Sequence, residues 1–302
     1  MIIDAHAHIY DILAGYGAKG EFRPFGNGKG IWATGEVEQF FPSQYGDLGF
    51  RAEALLELMV EAGIDHAVLL QGGNYGFHND YVIEAARQYP DKFTPIVTVD
   101  PYALYAPQIL DHLIGECGVR GLKFELSETW GMTGYHPQLK LDGPEFAKIL
   151  ERAEREELTV TVDMGPMGTA GFDPEGLKTV AGRYPGIRFI FCHCCFPCDD
   201  GQNGLRLEIM DQMKDAGILF DISNLLAVWP EEPPFPKKHA FLKEVKAVVG
   251  AERMIWGTDV PGILRKFTYQ QLMAMVTDSG AFTEQELQLV MGENARRVYG
   301  IG

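Results

Sequence analysis

Positive charge is what this sequence has least of: 26 lysines and arginines stand against 42 aspartates and glutamates, a formal net charge of −16 over 302 residues. A phosphate backbone is held chiefly by Lys and Arg, so no nucleic-acid partner is expected. Long apolar runs are missing too. No stretch approaches the roughly 18 to 20 residues that a membrane span needs. The start, MIIDAHAHIY, has neither the basic flank nor the cleavage pattern of a secretory signal. A cytoplasmic protein without a membrane partner is the expectation. Cysteines number five, an odd count for a disulfide framework, and Cys192, Cys194, Cys195 and Cys198 crowd together, so reduced thiols are expected. A G-x-G-x-x-G turn, the usual mark of an open doubly wound sheet, is absent. The nearest stretch, Gly26-Asn27-Gly28-Lys29-Gly30, has no helical pattern behind it and reads as a flexible loop.

What is present is an alternation. Hydrophobic residues make up 46% and charged residues 23%, ordinary globular values that allow a large core. Short β-branched or apolar runs near 2–8, 66–71, 93–98, 119–125, 158–163, 187–193, 217–222 and 253–259 alternate with stretches of helical period. Those helices fall near 51–63, 79–89, 103–116, 144–157, 173–184, 203–216, 236–249 and 268–278, with another near 283–299. Glycine stops such as Gly63 and Gly186 punctuate them. Eight βα units predict an α/β fold, a (β/α)₈ TIM barrel, as one domain over 1–302. The segment from about 9 to 50 is read as a long loop after the first strand, of the kind that forms lids or binding loops.

Polar residues at strand ends carry the chemistry. His6 and His8 in Asp4-Ala5-His6-Ala7-His8 are two apart, so on a strand they share a face. At the C-terminal end of a barrel strand, two imidazoles can offer neutral nitrogens to one ion. Two hydrogen-bonded core histidines are the alternative for the pair on its own. Lys123, Asp163, His193 and Asp259 end four other apolar runs, and charged groups converging on one mouth are costly unless paired or metal-bound.

These segments resemble the amidohydrolase superfamily, within it the amidohydrolase-related branch that includes aminocarboxymuconate-semialdehyde decarboxylase. The resemblance spans nearly the whole chain. It is carried by Ile3-Asp4-Ala5-His6-Ala7-His8, by Gly118-Val119-Arg120-Gly121-Leu122-Lys123, and by Phe191-Cys192-His193. Ile255-Trp256-Gly257-Thr258-Asp259-Val260-Pro261 and Glu293-Asn294-Ala295-Arg296-Arg297 complete it. It implies that His6 and His8 bind a divalent metal, that Asp259 binds it or steers the attacking water, and that His193 acts as acid or base. One departure stands out: the family usually has a metal-binding histidine at the end of strand five, where this chain has Asp163. Either Asp163 substitutes as a carboxylate ligand, or the site is weakened or empty. Zinc is the first expectation for the ion, with manganese or another first-row ion open.

Three functions follow from these expectations. The first is a metal-dependent hydrolase acting on a small carboxylated or cyclic carbonyl substrate. The second is a non-oxidative decarboxylase of an aromatic or unsaturated acid, and the third a metal-free, inactive barrel. Lys123 is either a substrate-carboxylate partner, a carbamylated ligand, or a structural ion pair with Glu125 or Asp163. His78 and His136, in loops after strands two and four, and Arg265, beyond Asp259, are candidate substrate contacts. Trp130, Tyr135 and Trp229 are candidate pocket aromatics, and the cysteine cluster is read as packing rather than a thiol site. Homo-oligomerisation stays open.

Overall fold

The computed structural model describes residues 1–225 and 229–302. Eight parallel strands run in chain order around a ring: β1 (Ile3–Ala7), then, after an insertion, β6 (His66–Leu69), β7 (Phe93–Pro95), β8 (Gly121–Glu125), β9 (Thr159–Asp163), β10 (Arg188–Phe191), β11 (Leu219–Asp221) and β12 (Met254–Ile255). β1-β6-β7 and β8 to β12 form two ladders. Hydrogen bonds join them at both seams. Lys123 N donates to Val97 O at 2.8 Å between the third and fourth strands, and Ala5 N to Trp256 O at 3.1 Å between the eighth and the first. The ring therefore closes as a (β/α)₈ barrel, with a helix between consecutive strands and another after the last.

Period-two alternation sorts the strand residues. Leu122, Phe124, Val160, Val162, Phe189 and Phe220 face outward into the large cluster packed under the helices. Val68, Leu70, Ile96, Ile190, Leu219 and Ile255 face inward, where Val298 and Tyr299 of the last helix (Asn294–Tyr299) close the bottom. Thr161 Oγ1 meets the Tyr299 hydroxyl at 3.0 Å inside the barrel, so the interior is packed below the site.

The segment read as a long loop is a second sheet. β2 (Gly15–Gly17), β3 (Gly20–Gly26), β4 (Lys29–Trp32) and β5 (Val37–Gln39) form a four-stranded antiparallel meander over the barrel mouth. The stretch expected to be a flexible loop is its hairpin turn. Asn27 and Gly28 both take left-handed φ, 54° and 70°, as a two-residue primed turn requires. A Cβ on Gly28 would sit 2.3 Å from Phe41 O, so glycine is required there. The helix expected near 103–116 is a short α-helix, Ala106–Leu110, that continues as a π-helical turn, Asp111–Glu116.

Candidate functional site

Strict alternation along β1 would put Ile3, Ala5 and Ala7 inside and Asp4, His6 and His8 outside. The chain avoids this with an irregularity: the register against β6 slips between Asp4 and Ala7. Ile3 and Ala5 belong to the interior cluster, while Ala7 belongs to the outer one. The bulge thus turns both histidines onto the cavity and leaves Asp4 between the strand and the helices. Asp4 is buried and accepts from His6 N at 3.0 Å, Thr258 N at 2.9 Å, Thr258 Oγ1 at 2.6 Å and the Tyr269 hydroxyl. It ties the end of β1 to the segment after β12. Gly257 allows that approach, because a Cβ there would lie 2.6 Å from His6 Cβ. Asp259, at φ 68°, then donates its N–H to His6 O at 2.7 Å and turns its carboxylate toward both imidazoles.

Ring orientation follows from the Nδ1 partners. His6 Nδ1 meets the Asp221 carboxylate, and His8 Nδ1 lies 3.0 Å from Leu70 O beside the Tyr75 hydroxyl. Carboxylate oxygens only accept, so His6 Nδ1 keeps the proton and its Nε2 is bare, whereas His8 has an acceptor at each nitrogen, Leu70 O at Nδ1 and Asp259 Oδ1 at Nε2. Burial pushes His6 down to about 4, against the opposing pull of Asp221, so it is neutral at pH 7. His8 Nε2 is 2.8 Å and His6 Nε2 3.5 Å from the same atom, Asp259 Oδ1. Two imidazole nitrogens and a carboxylate oxygen converging in this way are a donor set that would fit a divalent cation. These three side chains bring one ligand atom each within 4.8 Å of one another.

His193 has a different state. It sits just past β10 at φ 59°, the first of four consecutive residues with positive φ. Arg206 props that turn, donating to Cys195 O at 3.1 Å while its guanidinium is paired with Asp200 at 2.7 Å. His193 Nδ1 points to Ser223 O at 3.1 Å and Ser223 Oγ at 2.9 Å, and Nε2 to Asp163 Oδ2 at 3.0 Å. Burial opposes its charge, but Asp163 outweighs burial and pushes His193 up to about 9, an imidazolium donating from both nitrogens. Asp163 is pushed up by burial but held well below the usual carboxylate range by His193 and Lys123. A second cluster, His6 with Cys192 and His193, shares His6, but burial pushes the Cys192 thiol well above its ordinary value and His193 has no free nitrogen.

The cavity holds about 500 Å³ above these groups. Phe40, Tyr75 and Trp130 form one wall, with ring centroids 6.4 Å apart for Phe40–Tyr75 and 6.3 Å for Phe40–Trp130. Trp32 of β4 backs Trp130 at 5.3 Å. The meander is pinned over the mouth by Tyr16 N to Gly73 O at 2.8 Å and by Arg265 Nη1 to Gln39 O at 2.7 Å.

His6, His8, Asp163, His193, Asp259 and Arg265 all line this cavity, Arg265 at its exposed rim. Asp163 stands apart from the His6–His8–Asp259 group, its carboxylate taken up by His193 and by Gly165 N at 2.8 Å. Three other candidates are not among the residues lining the cavity, Lys123 taking its ion-pair alternative. Lys123 is buried beneath the wall, its Nζ 3.4 Å from Glu125, and although burial opposes its charge, Glu125 and neighbouring anions keep it an ammonium, which disfavours carbamylation. His78 turns its Nε2 to Tyr75 O at 2.8 Å, and His136 pairs with Asp100 at 2.9 Å, both outside the cavity because local acceptors capture them. Trp130 lines the pocket, whereas Tyr135 packs on Tyr16 and His136, and Trp229 on Phe241 and Lys238. All five cysteines are free thiols. Sequence reasoning missed Asp221, although Leu219-Phe220-Asp221 ends an apolar run on a carboxylate just as the β9 segment does at Asp163. Tyr75, Ser223, Arg206 and the outward role of Asp4 left no such mark.

A family model described as amidohydrolase matches residues 3–301. No curated protein matches the chain. Among solved structures, a probable 2-pyrone-4,6-dicarboxylic acid hydrolase from Acinetobacter baumannii, with citric acid bound, is 17% identical at TM-score 0.72 and covers 99% of both chains. An amidohydrolase from Burkholderia multivorans with bound zinc is 14% identical at TM-score 0.75, covering 100% of both. The 5-carboxyvanillate decarboxylase from Sphingomonas paucimobilis is 16% identical at TM-score 0.57, covering 82% of each chain. No helix among the described residues is long and apolar enough to cross a membrane.

Proposed function

The chain belongs to the amidohydrolase family, and from that premise we propose a metal-dependent hydrolase of small carboxylated or cyclic carbonyl compounds. His6 Nε2, His8 Nε2 and Asp259 Oδ1 would hold one divalent ion, zinc before manganese or another first-row metal. The observation that carries this reading is the convergence of two imidazole Nε2 atoms on Asp259 Oδ1, at 3.5 and 2.8 Å. Such an ion, when bound, lowers the pKa of water from about 15.7 to about 7 and polarises a carbonyl.

The protein's own groups do the rest. Asp221 and Leu70 O, each an acceptor at Nδ1, orient the two imidazoles so that Nε2 faces the ion's place. Asp163 serves His193 rather than the ion, keeping it charged and aimed, so that His193 donates a proton to a leaving oxygen or nitrogen. Arg265, at the rim, meets a substrate carboxylate. Phe40, Tyr75 and Trp130 exclude water and present flat faces to a ring.

A second reading has one observation in its favour. Loss of carbon dioxide from an acid requires a proton at the vacated carbon, and a buried imidazolium at position 193 is such a donor. Chelator-stripped protein, reconstituted with zinc or manganese, should turn over members of a panel of lactones, cyclic amides and ring acids, with products separated by chromatography and evolved gas measured. Hydrolysis products without gas support the first reading and gas without hydrolysis the second. Full activity after verified metal removal contradicts both.

A further inference from the structure

Glu125 ends β8 on the cavity wall, its side chain 13% exposed, and nothing in the proposed chemistry uses it. Its two partners are both far: Ser127 N at 3.3 Å and Lys123 Nζ at 3.4 Å, beyond the usual 2.7–3.2 Å. Burial and the neighbouring Asp163 push Glu125 up to about 7 against the pull of Lys123, so above that pH it is a carboxylate with about four lone-pair sites, and acceptor capacity is left facing the cavity. The neighbouring carboxylates are better satisfied. Asp163, its register partner on β9, is held by His193 at 3.0 Å and Gly165 N at 2.8 Å, and Asp4 takes four donors. Burying an under-satisfied acceptor is costly unless something arrives to satisfy it.

The ring topology says where that something lies. Glu125 comes from the fourth strand of the barrel and Arg265 from the loop after the eighth, so they stand on opposite sides of the mouth. Lys123 balances Glu125, and Glu128, also lining the cavity, leaves the fourth-strand side net negative, while Arg265 supplies a cation on the other. The aromatic wall of Phe40, Tyr75 and Trp130 suits a flat body between them.

We infer that Glu125 is a specificity-determining residue. It selects ring compounds that carry one carboxylate toward Arg265 and an O–H or N–H donor at the far end, and it rejects rings that carry a second carboxylate there. This rests on the reading of the cavity as a substrate site for small carboxylated rings, but not on the identity of the ion.

Isothermal titration of the full-length protein at a pH about 1.5 units above the Glu125 pKa, with and without added zinc, can test it with benzoate, the three hydroxybenzoates and isophthalate as probes. At least one hydroxybenzoate should bind about 10- to 100-fold more tightly than benzoate, and isophthalate more weakly than benzoate. In Glu125→Gln the hydroxyl advantage should shrink to a few-fold and isophthalate should gain, because the amide can donate to its second carboxylate. Glu125→Asp, which keeps the charge on a shorter arm, should keep rejecting isophthalate while losing the hydroxyl preference, and so serves if the amide variant does not fold. An unchanged preference in both variants, isophthalate binding as tightly as the best hydroxybenzoate, or no ring acid binding at all overturns the inference. Failure to take up zinc while the probe ranking holds overturns only the metal reading.

Discussion

The barrel floor and the sheet over its mouth are held by different forces. On the floor, side chains that face the cavity are locked by buried groups: His6 by Asp221, His8 by Leu70 O and Tyr75, His193 by Ser223 and Asp163. Few torsions are free, and the rims of β1 and β12 are tied through Asp4, Thr258 and Tyr269. The meander β2–β5 instead rests on backbone hydrogen bonds to the loops and on packed aromatics such as Phe22 and Trp32, tilted rings 4.5 Å apart. The difference assigns precision to one region and shape to the other. Groups that meet a reacting atom need rigid support, whereas a wall that selects by flatness tolerates adjustment.

If that division is right, mutations on the two sides should fail in different ways. Asp259→Ala removes the oxygen on which both imidazoles converge and should lower kcat/KM on the order of 10³-fold or more, read by steady-state kinetics. Asp221→Asn keeps the shape but weakens the acceptor on His6 Nδ1. Divalent-ion affinity should fall about 10- to 100-fold in a competition titration, and an unchanged affinity would break the claim that the floor is pre-set. Tyr269→Phe lies away from the cavity yet removes a donor from buried Asp4, so denaturant unfolding should show a loss of about 1–3 kcal/mol.

On the other side, Trp130→Ala should raise KM roughly tenfold for ring substrates with kcat nearly intact, because it removes binding common to ground and transition states. A kcat collapse instead would mean the cap takes part in the chemistry. The smallest effect is expected for His136→Gln. Its half-exposed pair with Asp100 lies outside the cavity, and kinetics should change by no more than about twofold.

The two regions also differed in how far sequence exposed them. Eight βα units are visible because parallel strands buried on both faces leave dense apolar runs, and costly polar residues at their ends mark the mouth. His6, His8, Asp163, His193 and Asp259 carry that mark, and the structure brings all five to one cavity. Their division into a His6–His8–Asp259 group and an Asp163–His193 pair does not show in spacing, since both depend on the β1 bulge and on which acceptor reaches which ring nitrogen. The meander was harder. Its strands are three to seven residues long and glycine-rich, so alternation is weak. Asn27-Gly28 is a hairpin turn pair, but the flanking segments give it no clear alternating frame. His78 and His136 fell in loops on the predicted side, and only coordinates reveal that a carbonyl and a carboxylate had already taken them.

The shared oxygen of Asp259 is best tested by titrating chelator-stripped protein with zinc and counting bound ions by elemental analysis. Close to one ion per chain is predicted for the parent, with near-complete loss in a His6→Ala, Asp259→Ala double variant that keeps the parent's circular dichroism. Equal zinc retention by the folded double variant, or no zinc in the parent, would contradict it.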